Sequence, residues 1–275
     1  MIVMPESLFM NVGVLEQAYL PRLLPYREEQ QKYIAECIKP LVEGRNGVNL
    51  FISGSPGIGK TACLKYILRE LKEKIEDIAP VYVNCWKRDT TPKIANEIAR
   101  ELGIKLPLTE KLSSDQIFDM IIKNTGKFKG IVFVFDEIDK TQDYDFLYRI
   151  VEDVNFKAIF LVTNVIDWIS KLDRRLISRI LLERLEFKPY SFEEIRGILR
   201  EREQYAFIPN SWDYEAFEIV IRKTHEMRDL RVGLFLMKRA GEFAEKRNAN
   251  KIEIQDVEEA VERLKDLYSK ESEFI

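Results

Sequence analysis

Residues 51–64 read FISGSPGIGKTACL: an apolar run, a glycine-rich turn closing on Lys60 and Thr61, and then apolar residues at helical spacing. Gly54, Ser55, Pro56, Gly57, Ile58, Gly59, Lys60 and Thr61, with Ala62 behind them, fit the spacing G-x-x-x-x-G-K-[ST]. They stand between a strand expected to end near Ser53 and a helix expected to start near Lys60. The glycines let the backbone curl so that successive amides point inward at anionic oxygens, and the helix N-terminus adds its dipole. The chemistry such a loop serves is the holding of a polyphosphate. Lys60 would reach its β and γ phosphates, and the Thr61 hydroxyl would coordinate Mg²⁺. A bare glycine turn between strand and helix is the alternative, and the agreement of spacing with context argues against it.

A magnesium-bound phosphate needs a carboxylate for the metal and a base for the attacking water. The stretch IVFVFDEIDK offers both, with Asp136 and Glu137 after five apolar residues, at the strand end where open α/β sheets place their ligands. Asp136 would hold Mg²⁺ through water, and Glu137 would polarise the nucleophilic water. The alternative is an ordinary acidic turn after a buried strand, to which Asp139 is assigned. Asn164 ends the run AIFLVTN, where a polar side chain could orient the water. Standing alone, it would read as a turn-forming asparagine. Arg175 and Arg179, four residues apart in LDRRLISRI, share one face of a short helix. Alone, they would read as a solvated face.

The elements that must position these groups follow from the hydrophobic pattern. Segments 48–54, 80–85, 130–137, 157–164 and 181–187 read as strands, most of them near-continuous apolar runs of the kind a parallel sheet covered on both faces requires. Helical patterns lie between them: Cys63, Leu64, Ile67, Leu68 and Leu71; Ile94, Ala95, Ile98, Ala99 and Leu102; Ile117, Phe118, Ile121 and Ile122. Alternating strands and helices predict an α/β fold with a parallel sheet. After Tyr190 only helices are expected, opened by a capping box of Ser191 with Glu194 and by caps at Asp213 and Asp229. Ile254, Val257, Val261 and Leu264 line a last helix. The division is therefore an α/β domain over 1–190 and a helical one over 191–275.

Bulk properties narrow the classes. The 275 residues are 46% hydrophobic and 32% charged, the profile of a globular protein. The net charge of -3 gives no global attraction to nucleic acid, so any DNA contact must come from a local basic surface. Cys37, Cys63 and Cys85 are scattered among apolar neighbours and read as small core residues. The N-terminus lacks a basic start and Pro5 with Glu6 interrupts its apolar run, which does not fit a signal peptide. No apolar run reaches the ~18 residues of a membrane span, so a cytoplasmic, nucleoid-associated protein is expected, with no membrane partner. His225 is read as neither ligand nor base. Trp86, Trp168 and Trp212 are read as packing or loop anchors.

Together these pieces resemble the AAA+ ATPases, and among them the archaeal origin-recognition and cell-division-cycle initiator proteins. That family runs Leu-x-x-x-Tyr-x-Pro into a Pro-x-Arg-Glu box, matched by Leu15, Tyr19, Pro21, Pro25, Arg27 and Glu28. The similarity continues through YVNC, TPKIANEIARELGI, the paired acids, LDRRLISR and DLRVGLFLMKRAGEFAEKR, covering nearly the whole chain. The glycine loop and acid pair are shared by P-loop NTPases in general, whereas the first box and the last run are particular to this branch.

The resemblance implies a P-loop parallel sheet with helices on both faces, a small all-helical lid, and ATP or ADP with Mg²⁺ as ligands. Pro25, Tyr26 and Arg27 match the box that packs around adenine. Asn164 would be a first sensor and Arg231 a second, reaching the γ phosphate from the lid. Ser178 and Arg179 match the position from which an arginine finger enters a neighbour's site, so a homo- or hetero-oligomer is implied. The implied role is ATP hydrolysis in replication initiation, by origin binding or helicase loading, with duplex DNA and a replicative helicase as partners. Where the family has Gly-Asp-Ala-Arg, this chain has Arg228-Asp-Leu-Arg, so the lid's approach is expected to differ in detail. Family members carry a winged-helix domain after the lid, and none follows here before Ile275. The chain is accordingly read as an ATPase module cut from a longer protein, or as one that works without that domain. Residues 105–130 occupy the family's DNA-touching insertion, where Lys123, Lys127 and Lys129 face phosphate or form a solvated cluster. An ATP-gated switch, a clamp-loader-like factor acting through a protein partner, and a nucleic-acid scaffold with a structural nucleotide are the alternatives.

Overall fold

The computed structural model describes residues 7–107 and 112–272. The chain forms two compact units. One comprises Arg27–Ser55 and Gly59–Lys188; the other comprises Met1–Tyr26, Pro56–Ile58 and Pro189–Ile275. The division expected at 190 put the N-terminal stretch with the sheet, whereas these contacts group it with the helices. Met10 and Asn11 donate their backbone N–H groups to the Ala206 carbonyl, and Ile208 donates to Leu8. Within the described residues, no helix is long and apolar enough to cross a membrane.

In the α/β unit the elements are α1 (Glu28–Val42), β1 (Asn49–Ser53), α2 (Lys60–Lys74), β2 (Ile78–Asn84), α3 (Thr91–Glu101) and α4 (Ser114–Thr125). They continue as β3 (Gly130–Asp136), α5 (Asp145–Asp153), β4 (Lys157–Thr163), α6 (Arg174–Ile180) and β5 (Leu182–Glu186). The strands form one sheet in the order β2-β3-β4-β1-β5, with every pairing parallel. All seven residues of β3 are buried, as are six of the seven in β4. That double-sided burial is why both read as unbroken apolar runs. On one face Phe51, Val81, Val83, Phe133, Phe135, Ile159 and Leu161 join Ile94, Ile98, Phe118, Phe146 and Leu176 from α3 to α6 in a single core. The alternate residues face the other way, toward the layer that holds α1 and α2. β5 is an edge strand and mostly exposed.

The helical unit contains α7 (Phe192–Ala206), α8 (Tyr214–Met227), α9 (Leu230–Lys246) and α10 (Ile254–Ser272). The expected caps are in place: Ser191 and Glu194 form a reciprocal capping box, Asp213 accepts from the amides of Glu215 and Ala216, and Asp229 accepts from that of Arg231. The core gathers Leu8, Val14, Leu15, Ile195, Leu199, Phe207, Phe217, Ile221, Leu236 and Met237. Phe9 lies 4.7 Å from Phe207, ring centre to ring centre, which ties the N-terminal stretch to the end of α7. The three cysteines are free and buried, as expected.

Arg228, the residue that replaces glycine, closes α8 in the left-handed conformation at φ 52°. A side chain in that region is strained by about 1–2 kcal/mol, whereas glycine adopts it freely at some cost in unfolded-state entropy. We expect Arg228→Gly to stabilise the protein by about 0.5–1 kcal/mol, read as a higher midpoint in thermal denaturation; a lower midpoint would mean the arginine side chain makes a compensating contact.

Candidate functional site

The glycine loop has the backbone its sequence predicts. Gly54, Gly57 and Gly59 all take positive φ, at 147°, 71° and 90°. Gly59 is the N-cap of α2, a left-handed turn that glycine supplies without strain, and Lys60 begins the helix immediately behind it. Lys60 is only 7% exposed, so its ammonium cannot be left to water. It donates to the carbonyls of Gly54 at 2.6 Å and Ser55 at 2.8 Å, and to Asn164 Oδ1 at 2.6 Å. This last bond spans 104 positions of sequence. It exists because β4 is the direct neighbour of β1, in the register Ser53↔Thr163. Asn164 is therefore not merely a turn former.

Asp136 closes β3 and is 3% exposed. Its Oδ2 accepts from Thr61 Oγ1 at 2.6 Å and from Tyr82 Oη at 2.8 Å, and its Oδ1 accepts from the Glu137 amide at 3.1 Å. Thr61 and Asp136, the two candidate metal ligands, thus converge from α2 and β3. Two hard oxygen donors suit Mg²⁺, whose remaining positions are taken by phosphates and water. The loop and this oxygen pair therefore fit a magnesium-bound nucleotide.

Glu137 sits in the left-handed region at φ 56° and ψ 44°. Such a conformation costs a non-glycine residue about 1–3 kcal/mol and is concentrated at functional sites. Its carboxyl is raised above the usual 4.5, first by burial and then by the charges of Asp136 and Asp139, while a hydrogen bond from Asn84 and the ammonium of Lys140 oppose the rise. Asn84 is held for this by accepting the Lys87 amide on its Oδ1. In metal-free protein we expect a carboxyl ¹³C titration of Glu137 to have its midpoint above the ordinary glutamate value. Asn84→Ala should move it further up, because a donor to the charged form is lost, and Asp139→Asn should move it down. A midpoint indifferent to both substitutions would overturn this assignment of causes. Asp139, read as a turn residue, accepts from Thr163 Oγ1 at 2.7 Å and pairs with Lys140 at 3.2 Å.

Tyr82 and Asn84 were absent from the sequence-based list. Their signal was the alternation within β2, where Val81 and Val83 enter the core while Tyr82 and Asn84 occupy the opposite face.

Arg179, on α6, is ion-paired with Glu152 of α5, and both side chains are half exposed. Ser178 Oγ donates to the Arg175 carbonyl at 2.9 Å. In the helical unit, Arg231 grips Asp229 through Nε, at 2.9 and 3.0 Å, and through Nη2. Pro25 and Tyr26 belong to the same unit, with Tyr26 at φ 64° and its hydroxyl directly over Gly197. Arg27 belongs to the α/β unit, buried, donating to the Lys188 carbonyl at 2.8 Å with its guanidinium 5.3 Å from the centre of the Phe187 ring. Of the tryptophans, Trp168 and Trp212 are buried, as packing residues should be. Trp86 is 65% exposed on the loop after β2, with the Lys140 ammonium 5.0 Å from its ring centre.

Comparison with known proteins gives the family and the fold. Residues 45–169 match the family model described as an AAA domain, and residues 196–262 match that of a Cdc6 AAA+ ATPase-type lid domain. The ORC1-type DNA replication protein 1 of Sulfurisphaera tokodaii is 34% identical over 267 residues, which span 93% of this chain and 67% of that protein. The corresponding Aeropyrum pernix protein is 30% identical, over 92% of this chain and 68% of its own length. This chain thus spans about two thirds of the length of these relatives. Among solved structures, the Aeropyrum pernix ORC1 protein in complex with DNA superposes with a TM-score of 0.82 at 29% identity, covering 93% of this chain and 70% of that one. Cdc6p from Pyrobaculum aerophilum gives 0.83 at 20% identity, over 94% and 72%, a likeness of fold.

Proposed function

We propose, because this chain belongs to the ORC1-type DNA replication proteins of the AAA+ class, that it binds ATP with Mg²⁺ and hydrolyses it in the assembly of protein on DNA at replication origins or in helicase loading. The observation that carries this reading is the convergence of Lys60, Thr61, Asp136, Glu137 and Asn164 at the C-terminal ends of β1, β3 and β4. The loop amides and Lys60 hold the phosphates. Thr61 and Asp136 hold Mg²⁺, which neutralises charge on the transferring group. Glu137 accepts a proton from the attacking water, and Asn164 orients that water or senses the γ phosphate. Pro25, Tyr26 and Arg27 pack around the adenine, and Arg231 serves as the second sensor.

Arg179 acts on a second copy or a related subunit. Its pair with Glu152 is solvent-exposed, of a kind that contributes about 0–1 kcal/mol, so giving it up for a phosphate costs little. DNA contact is supported by the relative solved with DNA and by Lys123 and Lys127, both exposed at and beyond the end of α4. The third lysine of that cluster, Lys129, is paired with Asp77 at 2.7 Å.

The test is ATP turnover at several protein concentrations, with and without duplex DNA, for the parent and Arg179→Ala. Specific activity should climb with concentration in the parent and stay low and flat in the variant. Equal, concentration-independent rates would remove the trans-acting finger. Turnover that is slow alone and quickens only with a protein partner would favour the switch reading, with which the acid-held Arg179 and Arg231 are consistent.

A further inference from the structure

We propose that Tyr82 is a positioning residue for the metal-side carboxylate: its hydroxyl, donating to the same oxygen as the Thr61 hydroxyl, fixes Asp136 in the orientation that a cation held by Thr61 and Asp136 would need. This inference rests on reading Asp136 and Thr61 as the Mg²⁺ side of the site.

The geometry comes from register. β2 and β3 are parallel neighbours in which Tyr82 lies beside Val134 and Asn84 beside Asp136. Residues two apart share a face of the strand, so the tyrosine must reach diagonally, toward j+2 on its neighbour, and only a long side chain covers that ~7–8 Å offset. The phenol does so, placing Oη 2.8 Å from Asp136 Oδ2. Its ring is fixed by a second contact, the Lys65 ammonium 4.9 Å from the ring centre. Lys65 follows Thr61 on α2 by one helical turn.

The count of donors gives the consequence. Three donors meet Asp136: the Glu137 amide on Oδ1, and the Thr61 and Tyr82 hydroxyls on Oδ2. A threonine oxygen that ligates a cation uses a lone pair and keeps its O–H as a donor, but the cation would then share that oxygen, so the place of this donor would depend on the metal. The Glu137 amide and the Tyr82 hydroxyl are the two donors that no cation would share, one on each oxygen, and together they fix the plane of the carboxylate from both ends. Without Tyr82, Oδ2 would keep only the Thr61 hydroxyl, the donor whose oxygen a cation would share, and the carboxylate would be freer to swing about its Oδ1 bond. A hydrogen bond to a charged group is worth about 1.5–3 kcal/mol, and this one is realised in metal binding rather than in holding the phosphates.

Tyr82→Phe keeps the ring and its contact with Lys65 and deletes the hydroxyl, and with it both the bond donated to Asp136 and the side-chain hydrogen bond shared with Asn84. A ribose-labelled fluorescent ATP is titrated into parent and variant in EDTA, and MgCl₂ is then titrated into the nucleotide complex. The variant should bind the nucleotide in EDTA within about twofold of the parent, and its half-saturating Mg²⁺ concentration should rise about tenfold or more, the low end of that bond's worth. An unchanged magnesium midpoint overturns the proposal, and so does an equal loss in EDTA, which would mark Tyr82 as merely structural. Asp136→Ala in the same titration separates the two levels: if its midpoint is also unchanged, the reading of Asp136 as metal-side carboxylate fails and takes the Tyr82 role with it. A measurement on the unsubstituted chain stands beside the variants. The ¹³Cζ resonance of Tyr82 should report a persistent hydrogen bond before and after Mg²⁺ and nucleotide are added; a shift to the value of a water-exposed phenol on adding Mg²⁺ overturns the proposal.

Discussion

Glu137→Gln should lower single-turnover ATP hydrolysis by about 10²–10⁴-fold, the usual worth of a positioned general base, while leaving ATP bound. The substitution is nearly isosteric, and its amide oxygen can still accept from Asn84, the partner that steadies the carboxylate. The left-handed backbone at this position is equally strained for either residue. The protein should therefore fold normally and differ only in its lack of a proton acceptor. The measurement is a rapid-quench time course with excess enzyme over labelled ATP, alongside the nucleotide content of the isolated complex. Hydrolysis within threefold of the parent would show that another group takes the proton, and would return Glu137 to the role of a turn residue beside a buried strand.

Lys60→Ala should weaken MgATP binding by about 2–5 kcal/mol, or roughly 30- to 4,000-fold in Kd. Lys60 is nearly buried, and its ammonium bonds the two loop carbonyls and Asn164. Those acceptors are neutral dipoles, so an anionic phosphate outcompetes them for the cation. The alanine variant also strands three oxygens around a space the lysine had filled. We therefore expect a measurable drop in thermal stability along with the lost affinity. Calorimetric titration with MgATP checks the first effect and thermal denaturation without nucleotide the second. An affinity within threefold of the parent would mean that the loop amides alone hold the phosphates.

The sheet could be read ahead of the structure because its central strands are covered on both sides. Segments such as GIVFVFD and AIFLVT leave no polar face to confuse the pattern. The loop could be read because glycine, lysine and threonine at fixed offsets answer to a local backbone geometry. What sequence order does not encode is which strands become neighbours. The contact between Lys60 and Asn164 depends on β4 lying beside β1, and the contacts of Tyr82 and Asn84 with the acid pair depend on β2 flanking β3. The grouping of the N-terminal stretch with the helices was hidden for a similar reason, since the pairing of Phe9 with Phe207 is long-range. The unusual Arg228 was visible in the sequence, but its left-handed backbone came only with the structure.

The chain also carries an optical probe beside the Asp136–Glu137 acid pair. Two of the three indoles, Trp168 and Trp212, are sealed in the two cores at 1% and 7% exposure, while Trp86 stands 65% open. An aqueous quencher such as acrylamide or iodide would therefore extinguish emission from Trp86 first. That indole follows Asn84, the partner of Glu137, by two residues and carries the ammonium of Lys140 against its ring. Its wavelength and lifetime consequently register the charge and order of the strand end that faces the acid pair. If nucleotide binds as proposed, its arrival should change the emission of Trp86 in the unlabelled protein, with the two buried indoles as background.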